Sequence, residues 1–172
     1  MIGGNMDIAL LIARLLIGLG VAAHGAQKLF GWFGGGGINK TGEFFVKLGW
    51  NQGRFFATAA GLGEFGGGLL VALGFLSPIG PAVIIMVMLV AILTVHMRNG
   101  FFATNNGFEL PMANATGAFL LAFTGPGTYS LDYFLGLLWF ASGRNSWIAV
   151  GVAVLMGVAN ALVRRAPPAP AR

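Results

Sequence analysis

The sequence predicts an all-α, polytopic membrane bundle: a four-helix core followed by a fifth, carboxyl-terminal span. Three observations carry this expectation. Of 172 residues, 56% are hydrophobic and only 9% are charged, with a mean hydropathy of +0.81. A soluble domain carries about 25% charged residues, so this chain lacks the polar groups to cover a water-facing surface. The apolar residues gather into segments of near-spanning length, separated by short polar stretches. The 29 glycines suit bilayer helices, whose backbones approach closely where side chains are small.

The first span is expected over about residues 8–30, with Arg14 inside it and His24, Gln27 and Lys28 at its far end. Met1–Met6 holds no Lys or Arg, and Ala23–His24 lacks a small-residue cleavage pattern, so this segment is expected to stay as an anchor. Four consecutive glycines from Gly34 to Gly37 predict an irregular break. Residues 38–54 mix Lys40, Glu43, Lys47 and Arg54 with Phe44, Phe45, Leu48 and Trp50, the pattern of an amphipathic helix lying on the membrane surface.

The second span is placed at about 55–76, with Glu64 inside, and the third, the most apolar, at about 82–97, ending at His96. The fourth, about 109–123, is short against the roughly 20 residues a crossing needs. Together these make a core over residues 1–132. Residues 133–163 form an apolar extension whose second half is expected to cross as a fifth span, and 164–172 reads as a disordered Pro/Ala-rich tail.

Charge favours five spans over four. With five, Lys28, Lys40, Lys47, Arg54, Arg98, Arg164, Arg165 and Arg172 share one side, and only Arg144 lies opposite. With four, the three tail arginines change sides and the asymmetry almost vanishes. Basic residues concentrate in cytoplasmic loops, which predicts an external amino terminus and a cytoplasmic carboxyl terminus in a multi-pass protein of the plasma (inner) membrane.

Several function classes fall away. There is no cysteine, which removes thiolate metal sites and dithiol chemistry, and no metal site is expected. The net charge of +5 follows the ends of the spans rather than forming a nucleic-acid patch. No phosphate loop, zinc-protease helix or nucleophile elbow is present.

Polar groups inside the spans are costly and need a reason. Counted from the expected span ends, Arg14 lies about 9 Å and Glu64 about 18 Å from the amino-terminal side at 1.5 Å per residue. The reach of an arginine predicts an intramembrane Arg14–Glu64 pair. It would serve either as a structural ion pair or as a proton- or quinol-linked carboxylate. The alternative is an Arg14 that snorkels alone to the interface.

His24, Gln27 and Lys28 share a helical face through i, i+3, i+4 spacing. His96, Asn99 and Glu109 fall on the same side of the membrane, and Glu64 opens toward it. This set could bind a quinone headgroup, relay protons or ligate a metal, or it could be ordinary capping at span ends. Two histidines alone are thin grounds for a haem.

Arg14-x3-Gly18, His24-Gly25-x2-Lys28-Leu29 and Glu64-x2-Gly67-Gly68 resemble the DoxX family of bacterial and archaeal membrane proteins. So do His96-Met97-Arg98-Asn99-Gly100-Phe101-Phe102, Gly107-Phe108-Glu109-Leu110, Gly125-Pro126-Gly127 and Ser130-Leu131-Asp132. The resemblance implies a four-helix core. It also implies a link to membrane oxidoreductase and oxidative-stress systems, since some members are subunits of thiosulfate:quinone oxidoreductase. The segment after Asp132 departs from the family pattern.

The expected function is therefore a membrane subunit of a quinone-linked oxidoreductase or an oxidative-stress system, embedded in the bilayer and meeting a soluble or membrane oxidoreductase partner. Electrons would come from that partner or a bound quinone. An oligomer is compatible with this reading. A non-enzymatic scaffold or assembly protein is the alternative. A small transporter fits less well, because no inverted repeat is visible.

Overall fold

The computed structural model describes residues 2–164, and the expected tail lies, from 165 onward, outside them. The chain is an all-α polytopic bundle, with no strand among the described residues. In order, the helices are α1 (Ile2–Leu29), α2 (Gly37–Lys47), α3 (Gly53–Leu73), α4 (Ile79–Ala91), α5 (Glu109–Thr124), α6 (Leu131–Phe134) and α7 (Gly143–Val163). A π turn over Ile92–His96 and a 3-10 turn over Met97–Asn99 prolong α4. At that turn the buried Thr94 hydroxyl donates to the Val90 carbonyl at 2.7 Å, a local competitor for the helical ladder.

The stops follow from the residues. Gly74 closes α3 in the left-handed conformation, φ +63°. Ser130 and Ser142 cap α6 and α7 by accepting from the Tyr133 and Asn145 amides.

Four stretches are long and apolar enough to cross a membrane: Gly4–Leu29, Gly53–Leu73, Ile79–Asn99 and Gly143–Val163. α5 has 16 residues, about 24 Å of rise against a hydrocarbon core of about 30 Å. It packs against α4 and α7. Its first residue braces the loop after α4, and Ser146 near the start of α7 donates to the carbonyl of Ala122 near its end, at 2.6 Å.

α1 and α3 run antiparallel in close contact. Gly18 lies against Gly68 and Ala72, and Gly25 against Gly61 and Phe65. A Cβ on Gly18 would stand 2.6 Å from the backbone nitrogen of Ala72, so the two backbones touch directly. Val21 and Val71 from this pair join Ile84, Ile85 and Met88 of α4, Leu121 of α5 and Val150 of α7 in one core. The α2 face carrying Phe45 packs with Trp50 and Ala57 into a second, smaller core.

Candidate functional site

In this register Arg14 lies against Gly74, at the amino-terminal end of the α1–α3 contact. Glu64 falls opposite the turn that holds His24, roughly ten residues or about 15 Å further along. Side chains on a helix lean toward its amino terminus. Arg14 therefore leans toward the amino-terminal face. Glu64, on the antiparallel α3, leans toward the opposite face, and so the two diverge.

The expected Arg14–Glu64 pair does not form. Glu64 instead forms an ion pair with Lys28, the only salt bridge among the described residues. Lys28 leans from the end of α1 into the membrane, and Glu64 leans out to meet it. Gly61 leaves room for this, since a Cβ there would approach the Lys28 Cβ to 3.4 Å and the Leu29 side chain to 2.7 Å. The Lys28 side chain is 28% exposed and that of Glu64 only 6%, so the carboxylate depends on its partner while the ammonium still meets the surroundings.

The other expected site residues divide into two local groups. His24 Nδ1 is 3.1 Å from Gln27 Oε1, and Gln27 Nε2 donates to the Phe33 carbonyl at 3.2 Å. These contacts fix the chain as it leaves α1 through a turn in which Phe33 holds φ +53°. Phe30 packs edge-on against Phe65 with centroids 5.5 Å apart, and against Trp32 at 4.9 Å. An aromatic ledge thus borders the end of α1 that carries Lys28.

His96, Asn99 and Glu109 serve their own loop. His96 Nδ1 donates to the Asn106 carbonyl at 2.8 Å, and Asn99 Nδ2 donates to the same oxygen at 3.1 Å. Glu109 Oε2 accepts from the Ala103 amide at 2.8 Å. No hydrogen bond among the described residues joins this group to His24, Lys28 or Glu64, so the single seven-residue cluster resolves into a pair with two satellites.

The residue that sequence reasoning passed over is Asp132. It is 1% exposed, and its two oxygens accept from the Leu76 and Ser77 amides, each at 2.8 Å. Its own amide donates to Gly74 O at 3.0 Å. Arg14, 2% exposed, donates from Nη2 to the Tyr129 carbonyl. Nothing forces a carboxylate into the apolar run after Ser130 except such a structural duty, and that was the available signal.

Comparison with known proteins points to a family of membrane proteins. The DoxX family model matches residues 9–97, through the end of α4. Inner membrane protein YqjF of Escherichia coli (strain K12) is 31% identical over 136 residues, covering 77% of this chain and 96% of that protein. No solved structure matches. The family model takes in just over half of the chain, and the likeness to YqjF runs through most of both proteins: the chain belongs to the DoxX family.

Proposed function

We propose that this protein is an inner-membrane subunit of a quinone-linked oxidoreductase system, and that Lys28 and Glu64 receive the quinone headgroup. The observation that carries this reading is the Lys28–Glu64 pair, a buried carboxylate bound to a partly exposed ammonium at one end of two spans. Ionisable groups within spans commonly mark proton or substrate paths. The donor set fits the group. Lys28 Nζ and His24 Nε2 project from one helical face a single turn apart and suit the two carbonyls. Phe30, Phe65 and Trp32 offer apolar surface for the ring.

A quinone bound there would supply two-electron redox chemistry, with the electrons drawn from a partner oxidoreductase. Lys28 and His24 would each give one proton to the reduced headgroup and recover it from the aqueous side. Glu64 holds the Lys28 ammonium in place and balances its charge. A hydrogen bond from a charged donor contributes about 1.5–3 kcal/mol. Lys28→Met is therefore expected to weaken binding of a short-chain quinone about tenfold or more, read by tryptophan quenching in nanodiscs. Unchanged affinity would remove Lys28 from the site.

A scaffold role is the second reading. It is favoured by one observation: His96, Asn99 and Glu109 are all engaged in bracing a loop. Quinone-free extracts of the purified protein, together with no quenching, would favour it.

A further inference from the structure

The chain between α5 and α7 does not behave as a surface loop, and α1 serves as a depth gauge for it. Thr128 donates to Asp7 Oδ1 at 3.0 Å. Four residues later, Asp132 donates to the carbonyl of Gly74, which lies against Arg14. Asp7 and Arg14 are seven residues apart on α1, about 10 Å of rise. The chain therefore turns back into the protein by that depth. Every side chain between those two levels of α1, from Ile8 to Ala13, is apolar, and Ile8 and Ile12 are exposed. The Arg14 level thus lies beneath a hydrocarbon-facing band.

α7 gives the same answer. Its Gly157 meets Met86 and Leu89 of α4. Gly157 is fourteen residues into α7, while Met86 and Leu89 are only seven and ten into α4. The turn before α4 therefore sits roughly 6–10 Å deeper than the start of α7.

The descending segment has the composition that such depth favours, and eight of its eleven amides are bonded within the protein. From Leu131 to Ala141 the sole charge is Asp132, and it is buried. The side chains left uncovered are aromatic or aliphatic: Phe134 is 83% exposed, Trp139 73%, Leu135 53% and Tyr133 52%. In a bilayer, backbone groups must be satisfied internally. The amides of Phe134, Leu135, Gly136, Leu137, Phe140 and Ala141 all donate to carbonyls between Ser130 and Leu138. The Tyr133 amide donates to Ser130 Oγ.

Asp132 meets the same need for the Leu76 and Ser77 amides, and Arg14 for the Tyr129 carbonyl. The two buried charges are thus the means by which non-helical backbone is tolerated at this depth.

We infer that residues 131–141 form a re-entrant cap. It is seated among the acyl chains of the leaflet on the amino-terminal face.

The chain has no cysteine, so single nitroxides can be placed at Phe134→Cys, Trp139→Cys and, as an exposed reference, Thr128→Cys, each in liposomes. Collision with oxygen, which concentrates in lipid, and with a water-soluble nickel chelate reports the surroundings. The cap predicts that positions 134 and 139 keep oxygen collisions and lose those with nickel, while 128 keeps nickel. Nickel reaching either 134 or 139 overturns it by placing the segment in water. Exclusion of both reagents overturns it as well, by placing protein over the segment.

Discussion

Asp132→Ala is expected to destabilise the bundle by about 4 kcal/mol or more. The substitution leaves the Leu76 and Ser77 amides buried without acceptors, at about 1–3 kcal/mol each. Release of Leu76, which holds φ +53° at a cost of about 1–3 kcal/mol, offsets part of this loss. These contributions overlap and will not simply add. Asp132→Asn keeps one acceptor and should cost roughly half as much. Unfolding by denaturant in a fixed detergent measures both, and an Ala variant within about 1 kcal/mol of the parent would show that the carboxylate is dispensable.

The contact between α1 and α3 should be equally intolerant. In Gly18→Val the new Cβ would lie 2.6 Å from Ala72 N and Gly68 O, which are backbone atoms and cannot rotate aside. The helices must separate, and the register that brings Lys28 to Glu64 goes with them. Overpacking against movable side chains costs about 1–3 kcal/mol, so a clash with backbone should exceed about 3 kcal/mol. Gly20 on the same helix has nothing within 4 Å of its Cβ position. Gly20→Val should therefore stay within about 1 kcal/mol of the parent. Similar stability of the two variants would mean the helices are not in contact at Gly18.

The bundle was legible because composition constrains it strongly: long apolar runs separated by glycine and polar breaks leave few alternatives. The charge partners were not. Arg14 and Glu64 were matched by counting from expected span ends, but α1 begins at Ile2 and α3 ends at Leu73. The count also ignored side-chain direction, which sends the two groups toward opposite faces. The Lys28–Glu64 pair obeys that directional rule and could have been found with it.

The dispersal of His96, Asn99 and Glu109 has a different cause. Their hydrogen bonds go to backbone groups within one loop, and loop backbone geometry is not encoded in hydrophobic period. Asp132 was legible as the end of the Ser130-Leu131-Asp132 motif and as a lone carboxylate in an apolar segment, but not as a structural anchor. Its role depends on a turn more than fifty residues away in sequence.

In the proposed function Lys28 binds quinone and Glu64 positions it, beyond holding two helices together. A double-mutant cycle with two readouts separates those roles. Lys28→Met strands a nearly buried carboxylate and should cost about 3 kcal/mol, while Glu64→Leu frees an ammonium that can reach water and should cost less. The double variant replaces the pair with apolar side chains and should recover most of the lost stability. Quinone-linked electron transfer should fail in both single variants and remain absent in the stable double variant. A double variant that regains stability and electron transfer together would contradict the proposal, and would leave the pair as a structural bond between α1 and α3.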